Sequence, residues 1–148
     1  MSRPFTPVYS STYDGSDLTL CKILEAVSTT SSAIAPATTL FKSVSTADDN
    51  RNRVKTSAGS IFTIVIHHNS GGSGGDRYFK FYDTAAIPTD ALVPEWTIPI
   101  STGTDIIIPF SNGLVFTNGI AFRITANYAD NDNTSIAANE VYTNIAYA

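Results

Sequence analysis

His67 and His68 are adjacent in the chain, and imidazole is the side chain most used for proton transfer at neutral pH and for binding metals. In a strand, neighbouring side chains point to opposite faces, so this pair cannot ligate one metal together. They are expected as two histidines near the end of a strand. Residues 70–75, Ser-Gly-Gly-Ser-Gly-Gly, have the glycines of a phosphate loop without its Lys and Ser/Thr. A strand pattern follows them where phosphate binding needs a helix N-terminus, so a hairpin tip is expected. Asp130, Asp132 and Thr134 alternate, with Glu140 beyond them, a spacing loosely like an oxygen-rich calcium loop. No Gly follows Thr134, and the twelfth position from Asp130 is Val141, so the pattern fails where the calcium loop is strictest. No metal site and no cofactor is expected.

Two further groups carry charge or nucleophilic character. Arg51, Arg53 and Lys55 alternate, so their charges leave one face of a strand. They form either a contact face for an acidic partner or a solvated edge whose charge blocks aggregation. No Ser, His and Asp set sits on a nucleophile elbow, and no catalytic residue is nominated. The expected reading is that the chain is not an enzyme. Asn133-Thr134-Ser135 is a formal glycosylation sequon, without an export signal to bring it to that machinery.

Size and composition narrow the classes further. A chain of 148 residues suits one compact domain plus a tail. Charged residues make up 15% of it, against about 25% in ordinary domains, so Ser, Thr and Asn must supply much of the polar surface. Net charge is -4, and the nine basic residues are spread along the chain; nucleic acid is not an expected partner. Cys21 is the only cysteine, which excludes an intrachain disulfide and leaves a plain thiol as the expectation. No run reaches the ~18 apolar residues of a membrane span, and Met1-Ser2-Arg3-Pro4 does not open a signal peptide. The expected location before assembly or lysis is a cytoplasm.

The elements that would position these groups are strands. Residues 1–17 hold Pro4 and Pro7 with Phe5, Val8, Tyr9 and Tyr13, an arm kept extended by its prolines. Its aromatic residues would dock either on their own domain or on a neighbouring subunit. Residues 18–27 fit a strand or a short helical turn, and 28–37 read as a Ser/Thr-rich linker. The folded body then spans 38–148, with strands expected at 39–45, 51–56, 60–68, 77–83, 95–101, 105–110, 114–116, 119–129 and 139–147. Residues 60–68 are apolar on both faces and are placed centrally, while 77–83 alternates as a half-buried strand. Pro99 marks an edge strand or a bulge. Asn112-Gly113 and Asn118-Gly119 are tight-turn dipeptides, with 114–116 held between them. The fold class expected is all-β, a jelly-roll-like antiparallel sandwich of about eight strands.

Several phrases carry a resemblance: Arg53-Val54-Lys55-Thr56-Ser57-Ala58-Gly59, Tyr78-Phe79-Lys80-Phe81-Tyr82-Asp83-Thr84-Ala85, Ile87-Pro88-Thr89, Trp96-Thr97-Ile98-Pro99-Ile100, Asn112-Gly113-Leu114 and Ala137-Ala138-Asn139-Glu140-Val141. Together they resemble small virion proteins of tailed bacteriophages, of the capsid decoration or cement type and related fibre-type sandwiches. The resemblance implies a module on the capsid exterior, often a homotrimer, that binds the major capsid protein and reinforces contacts between its subunits. Phe5, Val8, Tyr9 and Tyr13 would then anchor the arm on the capsid or on a sister subunit. The alternative is a receptor- or carbohydrate-binding fibre tip, with Tyr78, Tyr82 or Trp96 exposed to stack on sugar.

Overall fold

The computed structural model describes residues 38–69, 71 and 75–148, within a compact unit spanning Ala37–Ala148. Eight strands follow one another: β1 (Thr39–Val44), β2 (Asn52–Lys55), β3 (Gly59–His68), β4 (Arg77–Asp83), β5 (Trp96–Ile100), β6 (Asp105–Phe116), β7 (Ile120–Thr125) and β8 (Val141–Tyr147). No helix occurs among the described residues. The strands form two four-stranded antiparallel sheets, ordered β1-β8-β3-β6 and β2-β7-β4-β5. Pairing of first with eighth, second with seventh, third with sixth and fourth with fifth strands is the nested order of a chain doubled on itself and rolled into two layers. That is the eight-stranded jelly roll the strand pattern led us to expect. The arm expected at 1–17 lies outside the described residues.

Alternation sends one side of each strand into a shared core. Ile61, Ile64 and Ile66 of β3 and Val141 and Ile145 of β8 meet Phe79, Phe81, Ile98, Ile100, Phe122 and Ile124 of the other sheet. Each contributes about 1.5–3 kcal/mol by leaving water. Phe79 and Phe122 stack at 4.5 Å, and Phe41 of β1 meets Phe122 edge-on at 5.8 Å. Trp96 stacks over Phe81 and meets Phe110 edge-on at the margin of the core. Pro99 lies on β5, an edge strand, as its missing donor requires.

Non-local geometry changes several local expectations. β3 and β4 belong to different sheets, so the connection through 70–75 crosses the sandwich and is not a hairpin. β3 is dry on one face only: a register shift between Ile61 and Thr63 turns both Ile61 and Ile64 inward, leaving Phe62, Thr63 and Val65 half-buried. Residues 105–116 form one strand, and Asn112-Gly113 is no turn. Gly113, at φ 76, sits where β6 crosses that irregularity, and a Cβ there would press on Ser60 Cβ at 3.0 Å. Asn118-Gly119 connects β6 to β7 in the other sheet without a positive φ at either residue, so it is not the tight hairpin turn expected of the dipeptide. β7 stops at Thr125, so Tyr128 is on a loop and 62% exposed. β4 is not half-buried: Arg77, Lys80 and Tyr82 are enclosed along with the phenylalanines.

Candidate functional site

The enclosure of β4 comes from two cations that face each other across a ladder. Lys80 and Arg123 are directly opposite on the outer side of the β2-β7-β4-β5 sheet, and both are fully buried. Like charges at that spacing need anions and carbonyls close by. Three loops bring them. The β1–β2 loop is folded around Asn50, at φ 46, whose side chain accepts from the Thr46 amide at 2.7 Å; it delivers Asp49 to within 3.0 Å of Arg123. The β4–β5 loop supplies Asp90, which also pairs with Arg123. The β7–β8 loop brings the Asp132 carbonyl, which accepts from Arg123 at 3.0 Å, and the Ala129 carbonyl, which accepts from Lys80. Burial pushes the Lys80 ammonium pKa down; Asp132 pulls it back up and Arg123 lowers it again. Asp132 is itself tied to Thr134 and Asn127; these hydrogen bonds outweigh the upward push of burial and bring its carboxyl to about 2. The Lys80–Arg123 pair is sealed from solvent.

A second charged cluster closes one end of the sandwich. The Glu140 carboxylate lies 2.6 Å from Arg77 and 3.3 Å from His68, and it accepts from the Ala137 amide at 2.8 Å. Ser45 Oγ fixes this corner by accepting from the Glu140 and Val141 amides and donating to the Ala137 carbonyl. Burial alone would raise the Glu140 pKa, but Arg77, the Ala137 amide and His68 together hold it below its ordinary value. The Glu140 and His68 side chains have no solvent exposure, so the group staples loops and cannot meet a substrate. Glu140 is thereby committed to Arg77 and His68, away from any calcium-loop role beside Asp132. Among the described residues no cluster of three or more His, Cys, Asp or Glu is arranged to hold a metal.

The remaining sequence candidates are placed as follows. His67 and His68 do face opposite ways: His67 is exposed and 2.6 Å from Asp105. Arg51, Arg53 and Lys55 do not form one free charged face. Arg51 is bonded to Asp49 and Asp90, a register shift separates Arg53 from Lys55, and the Lys55 side chain runs over Gly59. They line an edge strand, where charge discourages further pairing. Phe5, Val8, Tyr9 and Tyr13 lie outside the described residues. Of the aromatics proposed for sugar stacking, Tyr82 is 1% exposed and therefore excluded. Trp96 is half-buried and lines an open cleft of about 280 Å³ with Asp83, Glu95, Leu114, Val115 and Phe116. Asp83 is already engaged there, accepting from the Thr117, Asn118 and Gly119 amides at 3.0, 2.7 and 3.2 Å.

Among the described residues, nothing covers the opposite outer face. On the β1-β8-β3-β6 sheet, registers set three rows side by side: Leu40–Ala146–Thr63–Pro109, Lys42–Asn144–Val65–Ile107 and Val44–Tyr142–His67–Asp105. Leu40, Val44 and Ile107 are 56%, 44% and 67% exposed. At ~4.8 Å between strands and ~6.7 Å between alternate residues, the grid is roughly 14 Å by 13 Å. The strand reading missed this surface. Its only local signal was alternation in β1 and β6, which assigns sides without saying which side stays uncovered.

The chain matches no protein-family profile, and no curated protein sequence matches it. Among solved structures it is similar to the coat protein of Tobacco streak virus, at 13% identity and a TM-score of 0.40, over 79% of this chain and 90% of that one.

Proposed function

We propose that this chain is a non-enzymatic structural virion protein of the tailed-phage decoration type, lying on the capsid exterior and bridging major capsid subunits, with host cytoplasm as its location before assembly. The observation that carries the reading is the asymmetry of the two outer faces. Among the described residues, three loops that bring Asp49, Asp90 and Asp132 cover Lys80 and Arg123 on one, while the other presents Leu40, Val44, Val65, Ile107 and Tyr142. A flat, weakly charged face of this size suits many modest contacts repeated over a lattice, which sum by multivalency and stabilise the shell by binding only its assembled form. The arm residues Phe5, Val8, Tyr9 and Tyr13 would add a second anchor, and a trimer would multiply both. Sedimentation with undecorated heads tests this. Ile107→Asp should fold normally and lose binding, and undiminished binding would remove the bare face from the mechanism.

A further inference from the structure

The cleft of about 280 Å³ lined by Asp83, Glu95, Trp96, Leu114, Val115 and Phe116 opens at one side of the sandwich, where β5 and β6 end their sheets. Its volume falls just below the ~300–1,000 Å³ of pockets that hold a drug-sized ligand, which suits it to one long side chain. Trp96 stacks on Phe81, meets Phe110 edge-on and is half-buried, so it brings an aromatic ring to the cleft. Leu114 and Val115, the latter 67% exposed, bring apolar surface. Asp83 supplies negative charge but no free acceptor, because the Thr117, Asn118 and Gly119 amides take up its oxygens. Glu95 is exposed and takes part in no ion pair among the described residues. An indole, an apolar wall and two carboxylates together fit a guanidinium, which stacks on the ring, pairs with a carboxylate and lays its stem along the wall.

The molecule carries such a group on its opposite side. Arg51 and Arg123 are bonded to Asp49 and Asp90, and Arg77 to Glu140. Arg53 is exposed and takes part in no ion pair or side-chain hydrogen bond among the described residues. Lys42, also exposed, stands on the other sheet and lacks the flat fork that stacks and pairs at once. Arg53 and the cleft sit at opposite ends of nearly one row. Arg53 opposes Ala121 and Ala121 opposes Tyr82, while Trp96 opposes Phe81 and the Glu95 amide donates to the Phe81 carbonyl at 2.8 Å. Three strand spacings of ~4.8 Å separate the two ends, so Arg53 cannot fill the cleft of its own chain. We infer that the Arg53 guanidinium of one copy enters the Asp83–Glu95–Trp96 cleft of the next, and that this head-to-tail contact closes the copies into a ring. Because Arg53 and Trp96 belong to one sheet, rotation about an axis normal to that sheet carries one to the other without rise, and a head-to-tail contact without rise closes. Such a ring leaves the Leu40 and Ile107 face of every copy on the same side. The inference rests on the assembly reading above and gives its trimer a contact.

Sedimentation of the full chain, read together with the emission of Trp96, its sole tryptophan, tests the contact. The wild type should associate with concentration into one closed species, and acrylamide quenching of Trp96 should fall as that species forms. Arg53→Glu alone and Glu95→Arg alone should each weaken association by about tenfold and keep Trp96 open to the quencher. The double variant should restore both readouts, because the charges are then exchanged across the same contact. Arg53 makes no bond within its own chain, so Arg53→Glu should keep the urea midpoint of the dilute monomer. A wild type that stays monomeric at every concentration would overturn the inference. So would Arg53→Glu associating as the wild type does, no recovery in the double variant, or association that leaves Trp96 quenching unchanged. Head binding is scored separately: a chain that forms the ring and fails on heads overturns the decoration reading alone.

Discussion

Replacing Arg123 with Met tests whether the buried cation pair holds the covering loops. Met keeps much of the volume and removes the charge, so the change isolates electrostatics from cavity formation. Breaking a buried ion pair costs roughly 3–5 kcal/mol when the partner is stranded. Here the partners are not stranded, because Arg51 stays bonded to Asp49 and Asp90, and Asp90 is half-exposed. Repulsion with Lys80 is also relieved. The surviving loss is the contact to the Asp132 carbonyl and the pair with Asp49, which we put at about 2 kcal/mol. In urea denaturation that is a lower midpoint at unchanged slope, and in a thermal scan a fall of roughly 4–8 °C for a domain of this size. Amide exchange should speed up in the loops at 84–95 and 126–140 and stay slow in β3 and β8. A change under ~0.5 kcal/mol, the size expected of an exposed control such as Arg53→Met, would refute the role assigned to the three loops.

Other outcomes follow from single contacts. Asp83 is pushed up by burial and brought down to about 2 by its bonds to Thr117, Asn118 and Gly119. A depressed carboxyl stabilises the fold above its unfolded pKa and loses that contribution as pH falls toward the folded value. Stability should therefore be level above about pH 5 and decline below about pH 4; Asp83→Asn should be less stable at pH 7 by about 1 kcal/mol after allowance for solvent screening, and show a shallower acid decline. Thr143 Oγ1 is buried with no hydrogen-bond partner among the described residues, so Thr143→Val should raise stability by about 1 kcal/mol in the same urea assay. Glu140→Gln leaves Arg77 and His68 without their shared anion and should cost about 3 kcal/mol; a neutral result in denaturation would mean that the corner is held by Ser45 alone.

Features set by neighbours in sequence were legible, and features set by distant ones were not. The strand expected at 139–147 is β8, with Val141, Thr143 and Ile145 on its inward side, and Pro99 sits on an edge. Gly113 misled because a positive φ serves a bulge as well as a turn. The strand at 77–83 read as half-buried, because the groups that enclose Lys80 and Arg123, the Ala129 carbonyl and Asp90, lie 49 and 33 positions away. The separation of β3 and β4 into two sheets is likewise decided by partners far along the chain, β6 and β8 for one and β5 and β7 for the other. The bare face depends on where loops do not go, which no local pattern encodes.

A particle reconstruction at side-chain resolution tests the central claim most directly. The account predicts many copies per particle on the outer shell, with the β1-β8-β3-β6 face, including Ile107 and Tyr142, in contact with capsid subunits and the loops around Asp90 toward solvent. A handful of copies at a tail or fibre, or a shell position with that sheet face open to solvent, would contradict it.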